Sequence, residues 1–509
     1  MMPTKVNLIV PMVGTGSRFR KAGFDTYKPF IEIDGKPMIK HVMDAFPSDV
    51  TKYIIYSPDL VTEAELKYLK SFPDVVPCAV DAHKDGPVFS ILRAEKYLPQ
   101  DEAYFVSYCD IFWTWDYEKN IRPELDADGI VFTRQKFHPH LVKDNFSAFC
   151  KPSQSNPKTL DVIQEKKSFT DDWMNEPLSV GVFYFRKGSE MLNAFKKMVA
   201  AEKRVAGEFF PSISFNELIG EGKTIKMVDV DFFIHWGLPS QLGDFNRWMR
   251  FFRNLRVSVK NKIETFNIRN ICCMGGLGSR MKSLGDAPKA LLPVDGEPMF
   301  KFVSKNMVPN TGVTILTVDN VAQKMGNLSD QFKVINLGEQ TKSQFETLLR
   351  SRDYLTQQKN FLLTSCDALG LIDFKRLQTT IDAQNPDAII FTFTPSLLQN
   401  KLSSHHTFVS ALGTQITDVH IKSKSSEADL GLAGLFWFKD GNVFKDLEAT
   451  PFDQKNEMCA DHFLKHLVNS GKKVSAFALD NYIHLGTPEE YQEYEFWSYF
   501  SKKLDQRSK

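Results

Sequence analysis

Short apolar runs alternate with amphipathic stretches along this chain, and they do so twice. VNLIVPM is an apolar run of strand length, cut off by Gly14-Thr15-Gly16. PMIKHVMDAF then carries apolar residues at helical spacing, KYIIYSP predicts the next strand, and VFSILRAEKYL predicts a second amphipathic helix. AYFVSYCD and GIVFTRQ add two more strands. Past the midpoint the order recurs as ICCMGG, MFKFVSKNM, VTILTVD, FETLLRSRDYL, FLLTSCD and AIIFTFT. Strands alternating with helices predict βαβ units, hence an α/β fold with a mainly parallel sheet covered on both faces.

The repeat extends to individual residues. NLIVPMVGTGSRF and YKPFIEIDGKPM are answered by NICCMGGLGSRM and PKALLPVDGEPM. Gly16 and Gly278 are 278 − 16 = 262 residues apart, and Asp34 and Asp295 are 295 − 34 = 261 apart. Solenoid and propeller repeats run at roughly 20–50 residues, so this period means a duplicated domain. A length of 509 residues suits two such domains. The sequence divides into a first domain at 1–256, a polar and basic connector at 257–266 (within VSVKNKIETFN) and a second domain at 267–509.

Composition narrows the class. Hydrophobic and charged fractions of 42% and 25% are those of a soluble globular protein. A net charge of +1 gives no global basic field for nucleic acid, although a local phosphate site needs only two or three cations. No apolar run approaches the roughly 20 residues of a membrane span, and the N-terminus lacks a signal-peptide cleavage region. The seven cysteines show no CxxC spacing, and several sit in apolar strand-like runs. These features predict a reduced, cytoplasmic, zinc-free protein without membrane insertion.

In open α/β sheets, ligands sit at the carboxyl ends of strands. That places Gly14, Thr15, Gly16, Ser17 and Arg18 with Asp110 in the first copy. Gly276, Leu277, Gly278, Ser279 and Arg280 with Asp367 are their counterparts in the second. Neither turn has the third glycine of a dinucleotide fingerprint, and Gly222-Lys223-Thr224 has Glu217 where a P-loop glycine should stand. Each Ser-Arg is followed by a lysine, Lys28 ten residues after Arg18 and Lys289 nine after Arg280.

This set resembles the nucleotidyltransferases that make nucleotide-activated sugars, alcohols and related phosphates, in two tandem copies covering essentially the whole chain. The resemblance implies two Rossmann-like nucleotide-diphospho-sugar transferase domains, each a mixed sheet flanked by helices. It also implies a reaction in which a substrate phosphate attacks the α-phosphorus of an NTP and expels pyrophosphate. Backbone N–H groups of the glycine loop would cradle phosphate oxygens. Arg18 or Arg280 would neutralise the leaving pyrophosphate, and Lys28 or Lys289 the charge around the α-phosphate. Positioning and electrostatics carry such catalysis without a protein nucleophile. Asp110 and Asp367, each ending an apolar strand, would hold Mg²⁺, a hard cation that keeps waters and substrate phosphates in its shell.

By the same resemblance, Gly86, Pro87 and Ser90 lie against the base in the first copy, with Gln344 and Thr347 as counterparts. The substrate pocket takes Glu165, Lys166, Gly181 and Glu208, against Lys422, Gly434 and Glu457 in the second copy. FHPH adds His138 and His140, in a stretch that, with SYCDIFW and EKKSF, looks like the capsule-pathway cytidylyltransferases. The family's second metal-binding Asp is replaced by His235 and His484, and imidazole is a poor magnesium ligand. Leu238 and Ala290 also depart from the family's Thr and Pro.

The implied function is a nucleotidyltransferase joining CTP or UTP to a phosphorylated sugar, polyol or similar building block of a bacterial surface polysaccharide. Both copies working, or one active beside a nucleotide-binding or structural copy, both fit, as does a homo-oligomer. A sugar-nucleotide-dependent glycosyltransferase is the rival activity, although such enzymes generally carry Asp-x-Asp and lack the Gly-x-Gly-Ser-Arg turn.

Overall fold

The computed structural model describes residues 5–142, 146–260, 268–276, 278–307, 312–453, 455 and 457–507. It divides into two compact units, Met1–Gly243 and Asp244–Lys509.

In the first unit the run at the N-terminus forms the strand Val6–Pro11, with parallel neighbours Thr51–Tyr56 and Ala103–Ser107. Val75–Ala79 extends the parallel set beyond Thr51–Tyr56. On the other side, Leu178–Phe185 pairs antiparallel with Ala103–Ser107 and with Gly129–Arg134, which in turn pairs parallel with Ile225–Asp229. Leu8 and Val10 pack in one apolar core and Ile9 in another, so the strand is buried on both faces, as the continuous apolar run requires.

The second unit repeats this order strand for strand. Phe332–Asn336, Val313–Thr317, Arg269–Cys273 and Lys359–Ser365 are parallel neighbours. Leu430–Asp440 is antiparallel to Lys359–Ser365 and to Ala388–Phe393, and Ala388–Phe393 pairs parallel with Val474–Ala478. Ile271 and Cys273 face one core and Cys272 the other. The fold is therefore α/β, a mixed sheet with a parallel half in each unit.

Two small antiparallel ribbons matter for the site. Ile111–Thr114 pairs with Phe232–His235, and Ala368–Gly370 with Tyr482–His484. The register sets His235 opposite Ile111 and His484 opposite Ala368, the residues immediately after Asp110 and Asp367. A histidine is thus brought beside each strand-end aspartate by backbone pairing alone.

The helix Pro239–Lys260 runs into the stretch read as a connector, whose residues 261–266 lie outside the described residues. From Asp244 onward it belongs to the second unit, thirteen residues before the division at 256 expected from sequence. The physical reason is aromatic. Phe245, Trp248 and Phe251 are buried, and Trp248 stacks on Trp497 of the helix Pro488–Arg507 with ring centroids 6.4 Å apart. Phe245 meets Trp497 and Phe500 edge-on at 6.0 and 5.5 Å. Large rings of this kind each bury roughly 150–250 Å². A fragment ending at residue 256 should therefore carry exposed aromatics and self-associate, whereas one ending at 243 should stay monomeric. Size-exclusion chromatography of both fragments over a range of concentrations checks this.

Candidate active site

In the first unit the carboxyl ends of the parallel strands open into a cavity of about 700 Å³. Gly14, Thr15, Gly16, Ser17 and Arg18 line it, as do Lys28 and Asp110. Gly16 has φ +63°, a left-handed conformation that turns the chain from the strand into the short helix Ser17–Lys21. The turn brings Gly16 against Lys28, which opens the next helical turn, Lys28–Phe30.

Lys28 Nζ donates to Asp110 Oδ2 at 2.8 Å, with both side chains largely withdrawn from water. Burial alone pulls the Lys28 ammonium down, but the Asp110 carboxylate outweighs it and holds the group at about 12. Burial raises Asp110 in turn, and Lys28, then His235, bring it down to about 2. His235 Nε2 lies 4.0 Å from Asp110 Oδ2, while its Nδ1 pairs with Gln241 Oε1 at 2.9 Å. Burial lowers the His235 pKa, so the ring is neutral at pH 7.

The base-side and substrate-side residues converge on the same cavity. Gly86, Pro87 and Ser90 line it together with Glu165, Lys166, Gly181 and Glu208, and Gly86 packs directly against Glu208. Gly181 has φ +82° at a bulge in Leu178–Phe185, and a Cβ there would stand 2.5 Å from the Tyr108 ring. Lys166 sits just past the strand Leu160–Glu165 with its ammonium 4.9 Å from the centre of the Phe210 ring. Glu165 accepts from Ser212 Oγ at 2.5 Å; burial pushes its carboxyl up to about 7, against the pull of Ser212 and Lys166.

His138 and His140 do not join this set. They are 1% and 2% exposed, and His138 packs against His140 and Phe233 in the interior. The helical turn Pro139–Leu141 tucks both rings inward, with His138 Nδ1 accepting from the His140 N–H.

Several lining residues escaped the sequence reading. His83 Nε2 pairs with Ser90 Oγ at 2.9 Å beside the base-side loop. The Tyr108 hydroxyl is buried without a hydrogen-bond partner among the described residues. Gln241 holds His235 and also accepts from Leu238 N at 3.0 Å. A signal for Gln241 was present, since Gln241 and Glu490 both fall six residues after the repeated histidine.

The second unit builds the same frame around a cavity of about 200 Å³. Gly276, Gly278, Ser279, Arg280, Lys289 and Asp367 line it, with Gln344, Lys422, Gly434, Glu457 and His484. Leu277 lies outside the described residues. Lys289 Nζ donates to Asp367 Oδ2 at 2.7 Å, and Lys289 and His484 hold that carboxyl well below its usual range despite burial. Thr347 is fully buried instead of lining the cavity: its hydroxyl pairs with Thr341 Oγ1 at 2.9 Å, and Thr341 donates to the Gly275 carbonyl at 2.5 Å. Those bonds tie the base-side loop to the glycine turn. Gln344 accepts from Ala460 N at 3.2 Å.

Ligand pockets usually measure roughly 300–1,000 Å³. By that scale the first cavity admits a nucleotide with a second small molecule, and the second does not in this conformation.

Residues 9–164 match the family model of the MobA-like NTP transferase domain. Mannose-1-phosphate guanyltransferases of Eremothecium gossypii and Saccharomyces cerevisiae are 26% and 25% identical to the chain over 111 residues, 21% of its length. The chain spans 31% of the length of these curated relatives. A nucleoside-diphosphate-sugar pyrophosphorylase from Vibrio cholerae aligns with 20% identity and a TM-score of 0.40, covering 47% of this chain and 99% of its own. The inositol-1-phosphate CTP transferase from T. maritima aligns with 18% identity and a TM-score of 0.37, covering 46% and 97%.

The Glu165 environment generates a stability test. Its folded-state pKa of about 7 lies above the ordinary 4.5, so the carboxyl costs nothing below 4.5 and destabilises the fold progressively as pH rises to 7. Glu165→Gln should therefore raise the melting temperature at pH 8, by the equivalent of about 3 kcal/mol, and leave it unchanged near pH 4. Calorimetry of both proteins at the two pH values measures this, and an equal shift at both would remove the titration account.

Proposed function

We propose, on the match of residues 9–164 to the MobA-like NTP transferase domain, that the first unit is a sugar-phosphate nucleotidyltransferase. The observation that carries the reading is the Lys28–Asp110 pair at the floor of a 700 Å³ cavity, flanked by the glycine turn and Arg18.

The reaction joins an oxygen of a phosphorylated acceptor to the α-phosphorus of an NTP, while the bond from that phosphorus to the bridging oxygen breaks and pyrophosphate leaves. Lys28 meets the charge that builds on the α-phosphoryl oxygens, and exposed Arg18 at the cavity wall meets the leaving pyrophosphate. Gly86, Pro87 and Ser90, with His83 holding Ser90, receive the base. Lys166 offers a cation to the acceptor's phosphate. Glu165 and the Tyr108 hydroxyl offer hydrogen bonds to the acceptor's body.

Enzymes of this family generally use a divalent metal. Asp110 fits Mg²⁺, being a carboxylate at the cavity with room for phosphate and water oxygens beside it. His235 does not fit: its Nδ1 is committed to Gln241, and its remaining nitrogen is a soft donor for a hard ion. When bound, the ion neutralises triphosphate charge. An incoming phosphate would compete with Asp110 for the Lys28 ammonium and leave the carboxylate free to hold such an ion.

CTP is the first nucleotide to test, with UTP and GTP beside it, against sugar, polyol and amino-acid phosphates. The likeness of the first copy to capsule-pathway cytidylyltransferases supports an activated building block of a surface polysaccharide as product. All seven cysteines are free thiols, and among the described residues no helix is long and apolar enough to cross a membrane.

The 200 Å³ cavity and the bonded base-side loop of the second unit favour a binding or structural role for that copy over a second activity. Lys28→Ala should lower kcat about 30- to 1,000-fold, the value of one charge-assisted contact strongest in the transition state. Lys289→Ala should leave the same reaction within about twofold. Pyrophosphate release across the NTP and acceptor panel reads both. Turnover lost with Lys289 and kept without Lys28 would reverse the assignment of the active unit.

A further inference from the structure

The two units share the repeated histidine and differ in what surrounds it. In the first, His235 is flanked by Phe146, ring centroids 5.4 Å apart, and by Gln241 at 2.9 Å. In the second, His484 is flanked by His406, again at 5.4 Å, and by Glu490 at 2.7 Å. The positions correspond. Gln241 and Glu490 each stand six residues after the histidine, and Phe146 and His406 each stand two residues before the strands Ala148–Pro152 and Phe408–Leu412. A set with one good metal ligand has become a set with three.

The three side chains are buried or nearly so: Glu490 is 1% and His406 5% exposed. Their ligand atoms all lie within 4.8 Å of one another. His406 Nε2 and Glu490 Oε1 form a buried ion-pair contact at 3.0 Å whose alignment falls short of a well-formed hydrogen bond. A contact so aligned leaves both atoms open to a better-placed partner.

The fold does not need the charge. Gln241 fills the same place in the first unit, satisfying both the histidine and Leu238 N with a neutral amide. The second unit also supplies an outer shell suited to a metal. His484 turns its other nitrogen, Nε2, toward Asp367 Oδ2 at 3.6 Å, and Thr487 Oγ1 donates to Glu490 Oε2 at 3.0 Å. Ligating histidines commonly direct the second ring nitrogen to a carboxylate in this manner.

We propose that the second unit binds one divalent transition-metal ion through His406, His484 and Glu490, with its remaining position open to the cavity. Two imidazoles and one carboxylate suit zinc and its neighbours and disfavour magnesium. On binding, the proton that His484 Nδ1 shares with Glu490 passes to solvent and the ion takes its place. His406 and His484 line the cavity, which gives the ion an entry path, and Arg280 and Lys289 on the same walls suit an anionic co-ligand. Cysteine spacing could not announce this site, because it uses no cysteine. The site stands or falls independently of nucleotide transfer by the first unit.

The test is titration of ZnCl₂ into the full chain after chelator treatment and dialysis, read by calorimetry and by metal analysis of the recovered protein. One tight zinc per chain is expected, with affinity falling at least 100-fold in Glu490→Gln and stoichiometric binding lost in the double variant His406→Phe, Glu490→Gln, which restores the first unit's own residues. Circular dichroism of the metal-free variants separates lost binding from lost fold. Cobalt(II) loading of the unsubstituted protein supplies a second readout: visible ligand-field bands without a thiolate charge-transfer band are expected. Absence of stoichiometric zinc, its retention in the double variant, or a thiolate band assigning the metal to Cys459, which also lines the cavity, would each overturn the proposal.

Discussion

A lysine and an aspartate paired away from water at the end of a parallel strand organise each half of this protein. Withdrawing two ions from water costs several kcal/mol apiece, and their mutual attraction seldom returns a surplus. Such a pair is a poor device for stability. What it does well is hold two reactive groups neutral as a couple until something more strongly charged arrives. The glycine turn sets where the lysine enters, the apolar strand sets where the aspartate ends, and the ribbon after the aspartate sets the histidine beside it. Each of these is a backbone constraint, which is why the arrangement recurs in the second unit although most other side chains have changed.

The repeated order of strands lets the molecule serve as its own control. The same frame surrounds a roomy cavity in one unit and a narrow one in the other. In the narrow one, hydroxyls of Thr341 and Thr347 hold the loop before the helix Gln344–Arg350 against Gly275. At the histidine, exchange of an amide for a carboxylate and of a phenyl ring for an imidazole alters the chemistry without altering the strand pairing. The glycine turn, arginine, lysine, aspartate and histidine that line both cavities persist, while the side chains packed around the histidine differ.

Much of this was legible in the sequence because it depends on local signals. Apolar runs of strand length fell where strands form, and the spacing of Gly16, Arg18, Lys28 and Asp110 against their counterparts placed them around one cavity. What escaped reading depends on packing at a distance. Whether His138 faces a ligand or the interior is decided by the turn at Pro139, which no periodicity describes. Thr347 has the same helical position as Ser90 but is claimed by Thr341, a partner six residues earlier. The boundary between units moved because aromatic residues beyond Asp244 have their partners some 250 residues later, a pairing visible only once the chain is folded. His406 and Glu490 lie 84 residues apart and announce nothing singly.

One feature of the first cavity reaches beyond stability. A carboxyl group poised near neutrality is two different ligands. Ionised, Glu165 can only accept hydrogen bonds; protonated, it can also give one. Near pH 7 the pocket therefore presents both faces in comparable amounts, and an arriving molecule selects between them. A hydroxyl-rich molecule with a donor at that point draws out the anion, and one with a bare ether or carbonyl oxygen draws out the acid. The wall of the pocket is in this sense unfinished until its occupant arrives, and the proton taken up or released on binding records which kind of occupant it was.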